Sequence, residues 1–68
     1  MNRKEAGAKI RIARIMKGFS QEELAKRLNV SQVTVCLWEN GITFPRANNL
    51  VKVSGLLGIR VDELLKVG

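Results

Sequence analysis

Sixty-eight residues with no histidine and a single cysteine exclude an internal disulfide and leave no plausible set of zinc ligands. This length allows one small domain, residues 1–68, and its core must be mainly aliphatic because the chain has only one tryptophan, two phenylalanines and no tyrosine. No cofactor or metal is expected. The lone thiol, the short apolar runs and the lack of a signal-peptide pattern predict a cytoplasmic protein that does not cross a membrane.

The charge is unevenly distributed along the chain. Twelve lysines and arginines against six acidic residues give a net charge of +6, and most of the excess lies in residues 1–34. A small basic domain with asymmetric charge favours a polyanionic partner. A basic surface that is merely solvated is the alternative that charge alone leaves open.

Apolar residues at helical spacing predict a first helix from about Arg3 to Lys17, and no segment has the convincing alternation of a strand. The inner face of this helix is predicted to contain Ala6, Ile10, Ala13 and Met16. Gly18 can end the helix in the left-handed conformation.

The second helix has two start signals. Ser20 and Glu23 have the spacing of a capping box. Phe19 and Leu24 have the spacing of a hydrophobic staple, in which the residue before the cap packs on the first turn. A helix from Gln21 to Leu28 is therefore predicted.

A third helix follows after a short bend. Asn29 suits the bend because asparagine tolerates positive φ, and Ser31 is a favourable N-cap for a helix that ends near Glu39. The inward positions of the second and third helices are Leu24, Ala25, Leu28, Val35 and Trp38. The solvent positions of the third helix are Gln32, Val33, Cys36 and Leu37. This pattern is typical of a helix-turn-helix, whose second helix enters the major groove of DNA.

The remaining chain predicts two more helices. Asn40 and Gly41 end the third helix and begin a loop. A fourth helix is predicted from Ala47 to Leu57, and a short fifth helix from Val61 to Lys66 after a break at Gly58. The predicted fold class is therefore all-α, with five helices.

Several short segments occur in an order that is characteristic of one family: Ile10 and Arg14, Gly18-Phe19-Ser20-Gln21, Leu24-Ala25, Val30-Ser31-Gln32, Trp38-Glu39-Asn40-Gly41, Pro45, Leu57-Gly58-Ile59 and Asp62-Glu63-Leu64. Together they resemble the Cro and lambdoid-repressor type of helix-turn-helix protein, the XRE family, over residues 7–65. The resemblance implies a compact five-helix lambda-repressor-like domain, with the helix-turn-helix formed by helices 2 and 3. It also implies that the domain binds DNA as a two-fold dimer, usually as a transcriptional regulator.

The resemblance further implies contacts to DNA phosphates. Gln21 looks like the family glutamine that bonds a phosphate, and the free N–H groups and dipole of a helix start favour an anion there. An ordinary polar residue in a first turn is the alternative. The other phosphate candidates are Ser31, Asn40, Thr43, Arg46, Lys9, Arg11 and Lys17. For the four basic residues a solvated role is equally open.

Gln32 is predicted to read a base from the first position of the third helix. A glutamine amide can donate to and accept from adenine in one plane, and the N-terminal residues of a recognition helix contact base edges. A solvated glutamine is the alternative. Thr34 can reach a phosphate or a thymine methyl group, or it can bond to its own helix backbone.

Val33, Cys36 and Leu37 make the exposed face of the third helix apolar, where family members often have polar or basic residues. Two interpretations are open: packing on thymine methyl groups at A·T pairs, or docking of a protein partner. No arginine or lysine occurs in residues 32–39, so bidentate guanine readout by this helix is in doubt. Cys36 is interpreted as a small neutral filler rather than a redox switch.

Two further sets of residues are predicted to have structural roles, one within the domain and one between two copies of it. Arg14 and Glu39 look like the family ion pair that ties the first helix to the end of the third, with two unrelated surface charges as the alternative. A small dimer surface is predicted on and before the fifth helix: Ile59, Val61, Leu65 and Val67. Association through it is expected to be weak in solution and stronger on DNA.

The leading hypothesis is a sequence-specific regulator that binds double-stranded DNA, a repressor of phage or small-operon type. It would bind a near-palindromic operator as a homodimer in a prokaryotic cytoplasm. The alternative is a protein-interaction module or antitoxin component whose apolar third-helix face docks a partner protein. An enzyme is not expected, because the sequence has no histidine, no set of metal ligands and no glycine-rich phosphate-binding loop that could be assigned to catalysis.

Overall fold

The computed structural model describes residues 2–65, which form five α-helices and no strand. The helices are α1 (Arg3–Met16), α2 (Gln21–Leu28), α3 (Gln32–Glu39), α4 (Ala47–Leu57) and α5 (Val61–Leu65). The predicted all-α class and the helix-turn-helix formed by α2 and α3 are confirmed. The predicted end of the fifth helix at Lys66 lies outside the described residues.

The starts of the first two helices are defined by side-chain caps. Asn2, which the sequence analysis did not assign, accepts hydrogen bonds from the backbone N–H groups of Lys4 and Glu5. The predicted capping box of Ser20 and Glu23 is present in both directions. The Ser20 backbone N–H and hydroxyl stabilise the charged carboxylate and lower the pKa of Glu23 below its ordinary value.

The turn between α2 and α3 has the predicted backbone conformation. Asn29 has a left-handed backbone conformation, with φ 58°, and is the C-cap residue that follows α2. The Ser31 hydroxyl then accepts from the Thr34 backbone N–H at 3.1 Å and starts α3. These two residues set the angle between the helices because one reverses the chain and the other begins the next helix.

The core contains aliphatic side chains from all five helices. The largest fully buried ones are Ile10, Leu24, Leu28, Leu64, Val35 and Val53. The prediction that Met16 faces the core is wrong, since this side chain is 82% exposed. At 100° per residue, Met16 lies about 120° around α1 from Ile10, at the edge of the buried face.

Helix α1 crosses the back of α3 at a very short distance. Gly7 is buried in α1, and a Cβ atom built on it would lie 2.7 Å from the carbonyl oxygen of Glu39. The carbonyl oxygen of Trp38 would lie even closer to that Cβ atom. Glycine is therefore the residue that allows α1 to support the C-terminal end of α3.

None of the helices formed by residues 2–65 is both long and apolar enough to span a bilayer.

Candidate nucleic-acid interface

Helix α3 has a buried back and an open front. Val35 and Trp38 are 0% and 4% exposed, and they attach the helix to the core. On the front, Gln32 is exposed and Val33 is 66% exposed, whereas Cys36 is half-buried. A helix that projects side chains from its N-terminal half in this way has the shape needed to enter a major groove.

Leu37 is less accessible than the sequence analysis expected. It is half-buried and lines an open groove between α3, the following loop and the start of α4. The other residues of this groove are Thr34, Trp38, Thr43, Phe44, Arg46 and Asn49. Part of the Leu37 side chain is therefore covered by the domain itself.

Ser31 and Thr34 are engaged with each other at the start of α3. Their hydroxyl oxygens are 2.8 Å apart, in addition to the cap that Ser31 provides to the Thr34 N–H. Thr34 is half-buried. Any contact of either hydroxyl with DNA must therefore share or replace this local hydrogen bond.

Arg14 and Glu39 form the ion pair that the sequence analysis predicted. Arg14 donates from Nε to one carboxylate oxygen at 2.6 Å and from Nη2 to the other at 3.1 Å. Its Nη1 also donates to the Phe19 backbone carbonyl at 2.8 Å. The two side chains are only 11% and 2% exposed. A bidentate interaction between a guanidinium group and a carboxylate is directional. This pair therefore holds α3 against α1 and the segment that leads into α2.

Gln21 is oriented towards this ion pair. Its Nε2 donates to the Glu39 carboxylate at 3.0 Å, and the residue is half-buried. This contact could not be predicted from a local pattern, because Gln21 and Glu39 are 18 positions apart in the sequence. An amide nitrogen has two hydrogens, so one N–H of Gln21 remains to donate elsewhere.

The C-terminal end of α3 and the loop after it present further polar groups. Asn40 and Thr43 are exposed, and the Asn40 amide donates to the Cys36 sulfur at 3.3 Å. Arg46 is exposed at the start of α4, whose first turn has no side-chain cap. Thr43 and Arg46 line the groove beside α3. Their side chains and the first-turn N–H groups of α4 are suited to anions.

Lys9 and Lys17 do not line the groove beside α3. Both line grooves between α1 and the turn that joins α4 to α5, together with Ile59 and Glu63. Gly7 and Arg14, by contrast, mark the side of α1 that faces α3. The phosphate contacts of these two exposed lysines stay a prediction.

The predicted dimer surface is smaller than expected. Ile59 is 8% exposed and belongs to the core, and its backbone carbonyl accepts a hydrogen bond from the Ser54 hydroxyl. Val61 is half-buried and Leu65 is 48% exposed. Val67 lies outside the described residues. Residues 2–65 contain no group of three histidine, cysteine, aspartate or glutamate side chains that could hold a metal.

The fold and the open front of α3 define a helix-turn-helix protein of the Cro and lambdoid-repressor type. The sequence profile of the helix-turn-helix family matches residues 10–64, and the chain belongs to this family, of XRE type. Its fold is similar to that of the clp gene regulator ClgR from C. glutamicum, with a TM-score of 0.80 and 31% sequence identity. That match covers 96% of this chain and 84% of the ClgR chain.

Two curated relatives are also helix-turn-helix transcriptional regulators. The transcriptional activator BcrR of Enterococcus faecalis is 34% identical over 61 residues, which are 90% of this chain and 30% of BcrR. The SPbeta prophage-derived regulator YonR of Bacillus subtilis is 33% identical over 60 residues, which are 88% of this chain and 56% of YonR. This chain thus spans about a third to a half of the length of these relatives.

Proposed function

We propose that residues 1–68 form a single DNA-binding domain that regulates transcription by reading double-stranded DNA with α3. The observation that best supports this proposal is the contrast between the two sides of α3. Its back is held by the buried Arg14–Glu39 pair, while Gln32 and Val33 project from its front. A rigidly held helix loses little further freedom when it enters the groove, which favours specific binding.

Base readout centres on Gln32. Its amide pairs with the N6 and N7 groups of an adenine, and the Val33 side chain packs on a neighbouring thymine methyl group. Cys36 and the exposed part of Leu37 extend this apolar contact along the groove. Thr34 has a secondary role, because its hydroxyl is shared with Ser31.

The proposed phosphate contacts come from residues near both ends of α3. Gln21 donates its remaining amide hydrogen to one phosphate while the other hydrogen stays on Glu39. Ser31 contributes at the start of α3, and Asn40 at its end. Thr43 and Arg46 bind the backbone of the opposite strand of the groove, next to the uncapped first turn of α4.

The proposed regulator is a homodimer on a near-palindromic operator. Half-sites one helical turn apart are separated by about 34 Å, and a domain with extents of 28 × 22 × 21 Å can lie beside its copy at that spacing. We propose Val61, Leu65 and Val67 as the contact, with weak association in solution. Repression by occupancy of a promoter in a prokaryotic cytoplasm is the simplest outcome, and activation is the alternative that the name of BcrR favours.

Selection from random DNA duplexes tests the proposal. We expect an enriched palindrome that contains A·T pairs. Its affinity should fall steeply with salt, with a log–log slope of about −0.9 per phosphate neutralised. Gln32→Ala should cost about 1–3 kcal/mol on this site and relax the preference at one base pair. Arg46→Ala should weaken binding to all sequences equally and reduce the slope by about one.

A protein-interaction or antitoxin role is the second candidate, since Val33 is an exposed apolar side chain on the front of α3. Failure to enrich any sequence, together with an affinity for DNA that does not depend on salt, would replace the first proposal with this one. Reporter expression with the selected site upstream of and within a promoter separates repression from activation.

A further inference from the structure

The outer face of α1 exposes three large apolar side chains. Ile12 is 58% exposed, Ile15 is 55% exposed and Met16 is 82% exposed. Residues three and four positions apart are neighbours on a helix, so the three form one continuous surface, which we call the α1 outer patch. Contiguous exposed apolar surface of this kind marks interaction sites more often than isolated apolar residues do.

A groove continues the α1 outer patch towards α5. It runs between α1 and the α4–α5 turn and is lined by Lys9, Ile12, Ala13, Met16, Ile59 and Glu63. The side chains of one helix can pack into a groove between two others. The patch and the groove therefore form a surface on which a helix can bind. Residues 2–65 contain no sheet edge to which an extended peptide could add.

The α1 outer patch lies away from the proposed DNA-reading surface. Gly7 and Arg14 mark the side of α1 that contacts the back of α3. At 100° per residue, Ile12 lies about 150° around the helix from that side. A molecule bound at the patch would thus leave the front of α3 open.

The charges around the α1 outer patch indicate the charge of the partner that would bind there. Lys9 and Arg11 are exposed beside it, and Lys17 is exposed in an adjoining groove that Met16 also lines. None of the three has an ion-pair partner among residues 2–65. Glu63 in the groove and Glu5 at the N-terminal end of α1 oppose them. Because the positive charges outnumber the negative ones, a partner helix with acidic side chains would be attracted to this surface.

We propose that the α1 outer patch docks an acidic amphipathic helix of another protein. The apolar stripe of that helix covers Ile12, Ile15 and Met16, and its flanking glutamates or aspartates face Lys9, Arg11 and Lys17. Such a partner can bind while α3 occupies DNA, and this last point rests on the proposed function. The domain would then recruit the partner to the site that it reads.

The direct test uses the full chain and a synthetic helical peptide of about 18 residues, long enough to be helical. The peptide has leucines at every third or fourth position and glutamates beside them, and a control peptide has lysine in place of each glutamate. We expect the glutamate peptide to bind at least tenfold more tightly than the lysine peptide. Amide chemical-shift changes should centre on residues 8–17 and spare the front of α3.

Charge reversal and patch variants make the test specific. Ile12→Asp should weaken binding of the glutamate peptide at least tenfold, whereas Val51→Asp, at a 64% exposed position on α4, should leave it unchanged. The double variant Lys9→Glu with Lys17→Glu should reverse the preference and favour the lysine peptide. Circular dichroism checks that each variant keeps its fold, which these exposed positions permit.

Four outcomes would overturn the inference: equal affinity for both peptides, shift changes confined to α3, self-association that Ile12→Asp abolishes, or binding of the patch to anionic vesicles instead of the peptide. The third outcome would identify a second copy of the chain as the occupant, and the fourth a membrane surface. Peptide binding needs no DNA, so this test can succeed even if no DNA site is selected. Adding a selected DNA site should not displace the peptide.

Discussion

Glycine at two positions decides how closely α1 can approach the rest of the domain. Gly7 contacts the backbone of Trp38 and Glu39 in α3. Gly41, with φ 74°, packs on the backbone of Lys4, where a Cβ atom would lie 2.7 Å from the Lys4 Cα atom. Neither contact can be relieved by moving a flexible side chain, because backbone atoms are on both sides.

Gly7→Ala should destabilise the domain by about 1–3 kcal/mol, because the added methyl group overpacks a rigid contact between two helices. The matched control is Gly55→Ala in α4, where nothing lies within 4 Å of the added Cβ atom. That substitution should stabilise the domain by about 0.5–1 kcal/mol through the higher helix propensity of alanine. Urea denaturation measures both free energies, and a Gly7→Ala variant as stable as Gly55→Ala would contradict the close packing.

At the scale of helices, the Glu39 carboxylate is the point where α1, α2 and α3 are joined. It accepts from Arg14 of α1 and from Gln21 of α2 while it belongs to the last turn of α3. Charged groups buried together contribute more to orientation than to net stability, but loss of one partner leaves the other unpaired. The position of the C-terminal end of α3 therefore depends on this polar cluster as well as on the apolar contacts of the core.

Arg14→Ala should destabilise the domain by about 3–5 kcal/mol, since it leaves a nearly buried carboxylate without its cation. It should also weaken binding to the selected DNA site. Arg60→Ala is the control, because the Arg60–Asp62 pair is 76% and 43% exposed and should contribute less than about 1 kcal/mol. Thermal melting compares the two, and an unchanged melting temperature for Arg14→Ala would refute the structural role of the pair.

At the scale of the whole molecule, three surfaces are distributed around the domain. The front of α3 and the loop after it form the proposed DNA surface, and the α1 outer patch lies on the far side of α1. The end of α5 presents Leu65, which is 48% exposed. With a small core and a net charge of +6, the domain itself provides little area for strong self-association.

Leu65→Glu should reduce the affinity for a complete palindrome, because two charged residues would then meet across the proposed dimer contact. Affinity for a single half-site should not change. Gel-shift titrations on palindromic and half-site duplexes measure the difference, with Val51→Glu as a control for added negative charge. Equal losses on both duplexes would show that the α5 surface is not the dimer contact.

The helix boundaries could be predicted because their signals are local. Ser20 with Glu23, Asn29 and Ser31 act through backbone groups no more than a few residues away, and each has its predicted conformation or hydrogen bond. The ion pair of Arg14 with Glu39 could be predicted only through the family resemblance, since the two residues are 25 positions apart in sequence.

The sequence by itself determined the five helices, their caps and the apolar faces that pack together, because helical periodicity and capping depend on neighbours within one or two turns. Tertiary packing alone decided two other features. It turned Gln21 towards Glu39 and brought α1 against α3 at Gly7. These outcomes depend on distances between separate helices, which no local pattern contains.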